Sequence, residues 1–168
     1  MKFRSTYRPI ILYIFLLIFF GSHYKAQTIT VTGNNWAPTI PSITEAGSNY
    51  AGIYESATNQ VILAVSVPLL LGTGRVSVHY EANPTWNSSL ILSGKRTNNG
   101  TTTCALCSIT GGTAYQTITQ TAIELFRIQA ILALGSYTGI NIQLQLSGVS
   151  VTIPAATYSS RVVFTVGP

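Results

Sequence analysis

The chain reads as an all-β protein, an antiparallel sandwich of two sheets. Beyond Gln27 the apolar residues recur with a period of two rather than 3.6. Most runs keep one polar face, as antiparallel strands do and the buried strands of a parallel sheet do not. Clusters of Gly, Asn and Pro cut the pattern into short strands, enough of them for two packed layers.

The runs follow in order. Residues 27–33 alternate Ile29 and Val31 with Thr28, Thr30 and Thr32. Residues 61–67 place Val61, Leu63, Val65 and Val67 on one face. In 75–81 the inward set is Val76, Val78 and Tyr80, and the outward set is Arg75, Ser77, His79 and Glu81. Leu90 opens a short apolar run. Asn98-Asn99-Gly100 predicts a hairpin between 90–96 and 101–109. In 140–146, Ile140, Ile142, Leu144 and Leu146 face in, while Asn141, Gln143 and Gln145 face out. Val149 to Ile153 continues as strand on odd positions, so parity changes at Ser147-Gly148, which predicts a bulge or tight bend. Val162, Phe164 and Val166 line the closing strand. Gly72-Thr73-Gly74, Gly111-Gly112 and Pro154-Ala155-Ala156 mark other connections.

Residues 122–134 admit two readings. Thr121-Ala122-Ile123-Glu124 fits a capping box and Gly135 a helix stop, which gives one short helix. Alternatively Phe126, Ile128, Ala130, Leu132 and Leu134 form one face of a strand. Strand is preferred because its neighbours are strands.

The N-terminus follows different rules. Lys2, Arg4 and Arg8 precede the unbroken apolar run of residues 10–20, and a short polar stretch ends at Ala26. This is the pattern of a secretory signal peptide covering residues 1–26, with a single domain over 27–168. The apolar run is shorter than the roughly 20 residues a membrane helix needs, so no membrane span is expected in the mature chain. The formal charge of +5 shrinks accordingly. Residues 27–168 hold Arg75, Lys95, Arg96, Arg127 and Arg161 against Glu45, Glu55, Glu81 and Glu124, a net of +1. Nothing in that balance points to nucleic acid. Only 8% of the residues are charged, against about a quarter in ordinary domains, and Thr, Ser, Asn, Gln and Gly replace them. Such a neutral, hydroxyl-rich surface suits a secreted, periplasmic or cell-surface protein.

Cys104 and Cys107 are spaced C-x-x-C. A redox site would want a βαβ context, and the surroundings here are Thr-rich and strand-like. Zinc would need further soft or imidazole ligands, and residues 27–168 offer only His79. A local disulfide is the expectation. Residues three apart on a regular strand lie about 10 Å apart, beyond disulfide reach. An oxidised pair therefore requires the chain to turn at Ala105-Leu106.

The stretch from Val151 through Pro154-Ala-Ala-Thr-Tyr158 to Val166 resembles the last hairpin of fimbrial-subunit and spore-coat-U-type domains. That resemblance implies an immunoglobulin-like sandwich, with strands shared between subunits. Gln27 to Thr32 is then the edge segment for self-association. The chain departs from the pattern in ending Val166-Gly167-Pro168, without a terminal aromatic residue, and in its local cysteine pair.

Candidate chemistry is sparse. His79 and Glu81 share a strand face with Arg75, a group from which a general base or metal pair can be drawn. The plainer reading is a solvent face with a cross-strand ion pair. A Ser-His-Asp triad is excluded because the chain has no Asp. Trp36, Trp86, Tyr50 and Tyr54, with Tyr115 and Tyr137, are the aromatics for a surface-carbohydrate platform. Their plainer role is packing in the core and at its ends. Asn87-Ser-Ser and Asn99-Gly-Thr match glycosylation acceptors. The expectation is an exported, non-catalytic sandwich without cofactors, a surface structural subunit or adhesin-like protein, with a carbohydrate-binding module as the alternative.

Overall fold

A computed structural model describes residues 27–50, 52–67, 72–130 and 135–168. The signal-peptide segment lies outside the described residues, as do Leu132 and Leu134. Among the described residues eleven strands follow one another: β1 (Thr28–Gly33), β2 (Ile53–Glu55), β3 (Val61–Val67), β4 (Gly72–Ala82), β5 (Ile91–Arg96), β6 (Thr101–Thr102), β7 (Cys107–Thr110), β8 (Gln116–Ile118), β9 (Ile123–Ala130), β10 (Gly135–Ser147) and β11 (Ser160–Gly167). All pairings are antiparallel. One sheet runs β1-β3-β10-β5-β8, with β2 and β6 also on β10. The other runs β11-β4-β9-β7. The two pack face to face, so the expected two-sheet sandwich is the fold.

Strand β10 is the spine of the larger sheet. Segments β2 and β3 lie end to end along one of its edges, and β5 and β6 along the other. The breaks are bridged by side chains. Between β2 and β3, the Ser56 amide donates to Leu144 O at 2.9 Å, and the Leu144 amide donates to Ser56 Oγ at 2.8 Å. Gln143 is an outward residue, yet it is buried, and its Nε2 donates to Ser56 O at 2.9 Å.

The hairpin expected at Asn98-Gly100 does not form. Strands β5 and β6 run in the same direction along β10, and Asn98 carries the ladder across the gap. Its Oδ1 accepts from the Asn141 amide at 2.7 Å, and its Nδ2 donates to Gly139 O at 3.1 Å. The gap faces a bulge in β10 between Tyr137 and Ile140, where Gly139 takes φ +71°. The turn signal was genuine locally, but β10 supplied the long-range partner that kept the chain straight.

Of the two readings of residues 122–134, the described part takes the preferred one and not the short helix: Ile123–Ala130 is strand β9. It pairs with β4 on one side and β7 on the other, and those ladders hold its backbone extended. Leu125 is the extra residue at a register shift opposite Val76/Ser77. That bulge lets Leu125, Phe126, Ile128 and Ala130 all be buried.

The Val149–Ile153 strand is also not formed; these residues make a turn. Gly148, at the predicted bend, takes φ +82° and ends β10. Beyond the turn, β11 pairs with β4.

The core lies between the inner faces. Leu63, Val65, Val67, Leu92, Ile118, Ile140, Ile142 and Leu144 from the larger sheet meet Val76, Val78, Phe126, Ile128 and Phe164 from the smaller one. Each fully buried aliphatic or Phe side chain contributes about 1.5–3 kcal/mol.

Candidate functional site

The sequence places its assembly expectation on residues 27–32, and these become β1. It pairs with β3 of its own chain in a six-residue ladder from Thr28↔Ser66 to Gly33↔Val61. It stands at the end of its sheet, and among the described residues no strand pairs with its other edge. Ile29 and Val31 face inward because they pair with Val65 and Leu63. Ile29 packs against the core. Val31 reaches past it and is 46% exposed.

The aromatics named from sequence do not meet in one platform. Trp36 packs against the core after β1. Trp86 lies tilted on Tyr80, ring centroids 5.6 Å apart, with its indole Nε1 shut from solvent and unpartnered. Tyr54 is on β2 opposite Leu146, its hydroxyl also shut in and unpartnered. Tyr137 is a core residue. Tyr50 lines a shallow open depression of about 210 Å³ together with Pro41, Thr44, Glu45 and Asn49.

Among the described residues, most of the charge sits on the outer face of the smaller sheet. Glu124 is gripped by Arg127, Nη2 to Oε2 at 2.9 Å, and by Arg75, Nε to Oε2 at 2.8 Å. The Arg127 hydrogen bond holds the Glu124 carboxyl below its usual value. Four residues along β4 from Ser77, which pairs with Glu124, Glu81 accepts from Arg161 of β11, with Nε at 2.9 Å. His79 Nε2 stands 4.0 Å from Glu81 Oε1, and His79 Nδ1 is buried without a partner. The predicted cross-strand ion pair is therefore Glu81–Arg161. Among the described residues no three His, Cys, Asp or Glu side chains gather as a metal site.

A second polar group, not foreseen from sequence, lies on the outer face of the larger sheet. Gln145 pairs with Glu55 on one side and Ser93 on the other, and its Nε2 donates to Glu55 Oε1 at 3.0 Å. Lys95 sits next along β5, its Nζ 4.3 Å from the centroid of the Tyr115 ring. The Tyr115 hydroxyl is shut from solvent and makes no hydrogen bond of good geometry. Burial first, and the nearby Glu55 carboxylate second, push it up to about 12. Tyr115 was visible as an aromatic, but its neighbours come from register, which no local pattern encodes. Ile53 and Ile91 flank Ser147 in one row of this face and are 58% and 44% exposed.

Between the sheets, the chain crosses at the cysteines. Cys104 and Cys107 form a disulfide with Cα atoms 5.4 Å apart. The chain turns at Ala105-Leu106, and the Cys107 amide donates to Cys104 O at 3.4 Å. The geometric expectation for the pair is met.

It crosses back at Gly111-Gly112, and here Arg96 acts as a tie. Arg96 is 4% exposed and lies over Phe126. Its Nε and Nη2 donate to Gly111 O at 3.1 and 2.8 Å, and its Nη1 donates to Asn98 O at 2.9 Å and to Asn99 Oδ1. Every acceptor is neutral, and burial lowers its pKa.

Among the described residues no helix is long and apolar enough to cross a membrane. Comparison with protein-family models, curated proteins and solved structures finds no match to this chain.

Proposed function

We propose that this chain is an exported, non-catalytic β-sandwich that works through surface contacts, as a structural subunit or adhesin-like protein that associates along β1. The supporting observation is the β1 edge. Natural sheets blunt their end strands with charges, prolines or bulges, because unpaired backbone groups recruit other strands. Thr28–Gly33 carries none of these and meets β3 in unbroken register. The disulfide fits an oxidising compartment outside the cytoplasm, as the N-terminal pattern also implies. The carbohydrate alternative draws less support, since Trp36 and Trp86 spend their rings on internal packing.

Size-exclusion chromatography with light scattering on residues 27–168 tests the proposal. Mass above the monomer that rises with concentration is expected, and Val31→Lys should return the protein to monomer. A wild-type protein that stays monomeric at every concentration would overturn the reading.

A further inference from the structure

We infer that two copies of this chain pair edge to edge along β1, antiparallel and centred on Thr30, as a closed two-fold dimer. The inference rests on the proposed association and specifies its geometry. The strand reads Thr-Ile-Thr-Val-Thr before Gly33. A second copy laid antiparallel about Thr30 places Thr30 opposite the partner's Thr30, Ile29 opposite the partner's Val31, and Thr28 opposite the partner's Thr32. Directly opposite residues share a face of the sheet, so Thr meets Thr outside and aliphatic meets aliphatic inside.

The structure favours this register over its neighbours. Val31 faces inward but is 46% exposed, because its own chain covers Ile29 and leaves Val31 open. In the register about Thr30, the partner's Ile29 lies beside each Val31 and covers it. A one-residue slip sets Ile29 and Val31 against Thr and inverts the faces. Centring on Val31 would set Ile29 against the partner's Gly33. Gly33 has φ +148°, outside the range of a regular strand, and a Cβ there would crowd Gln60 O and Val61. Gly33 still pairs with Val61, but regular strand conformation covers only Thr28 to Thr32, and Thr30 is the midpoint of that stretch. The strand has no charge to repel its own copy.

The pairing also sets the number of copies. A contact in which the same edge meets itself uses up that edge on both chains and closes at two. Passing β1 into the next chain would instead leave a free edge each time and grow without limit.

Cysteine cross-linking of residues 27–168, with the native disulfide intact, is the test. Directly opposite Cα atoms lie about 4.5–5.5 Å apart, within the roughly 7 Å that a disulfide spans. Thr30→Cys should therefore give a covalent dimer under mild oxidation. Thr28→Cys alone should not, because its counterpart is displaced four residues, about 13 Å. Thr28→Cys mixed with Thr32→Cys should cross-link as a heterodimer. Val31→Lys should abolish the dimer while leaving the circular dichroism spectrum unchanged, and its melting temperature should no longer depend on protein concentration. A protein that associates, yet whose Thr30→Cys cross-links no better than Thr28→Cys, would overturn this register and leave association standing. A ladder of growing oligomers would overturn the closed pair. A monomer throughout would overturn both this inference and the proposed function.

Discussion

Arg96 is the residue whose replacement is most informative about what holds this sandwich together. A guanidinium this buried incurs a desolvation cost of several kcal/mol, and here no carboxylate answers it. Its return comes from hydrogen bonds to Gly111 O, Asn98 O and Asn99 Oδ1, which tie the β5–β6 gap to the crossover after β7. Hydrogen bonds from a charged donor are worth about 1.5–3 kcal/mol each, so together they outweigh the desolvation. Arg96→Met removes both terms. Gly111, Asn98 and Asn99 are exposed residues, so water can reach the abandoned acceptors. The net loss should be about 2 kcal/mol. At roughly 2.1 cal/mol/K per residue, a domain of this length unfolds with about 0.3 kcal/mol/K, so melting should fall by about 7 °C.

Arg96→Lys is the sharper variant. It keeps the buried charge, but a single ammonium cannot reproduce the planar fork. It should therefore cost more than Met, about 3 kcal/mol. Urea unfolding with fixed slope measures both. If Lys is tolerated better than Met, the charge is not desolvated and the reasoning about Arg96 fails.

Gly148→Ala should lose about 2–3 kcal/mol, since φ +82° strains any L side chain and its Cβ would meet Ser89 O; a thermal melt within error of wild type would refute this. Replacing Cys104 and Cys107 together by Ser should cost no more than about 2 kcal/mol, because chain entropy removed by closing a four-residue loop is less than the roughly 3 kcal/mol of a fifteen-residue one; loss of folding would contradict it. Glu124 has a native value below its ordinary one, so its contribution is complete above the unfolded value near pH 4.5 and is lost as pH falls through the native value. Stability measured from pH 6 to 2 should therefore drop less steeply in Glu124→Gln, and parallel curves would show that the Arg75–Glu124–Arg127 cluster contributes nothing.

The strands that sequence read correctly are those with one covered face. Leu63, Val65 and Val67 are buried, as their alternation implied, and so are Val76 and Val78. Where alternation alone spoke, without a partner, it misled: Val149 and Val151 alternate like a strand but make a turn. Asn98-Asn99-Gly100 carried a correct local preference that β10, some forty residues away, redirected. Arg96 was illegible for another reason. Its acceptors are backbone carbonyls and an Asn side chain, so no opposite charge marks its burial in the sequence. The pairing of Glu55, Gln145, Lys95 and Tyr115 likewise depends on register across three strands. The candidate edge was legible because it is a single continuous segment.

The spine position of β10 has a consequence for the order of folding. Its residues begin at Gly135, late in the chain, yet they hold β2, β3, β5 and β6. Without the residues from Gly135 onward the chain can pair β1 with β3 and β5 with β8, but it cannot join these halves into one sheet. The four-stranded sheet is similarly delayed at its outer edge until β11 completes it. Loop closure over tens of residues must precede most of the stabilising contacts, which places folding in the slow range of β-sandwiches, milliseconds to seconds. Until β10 is in place the chain presents several unpaired edges at once, and neither sheet is complete before the last quarter of the sequence has docked.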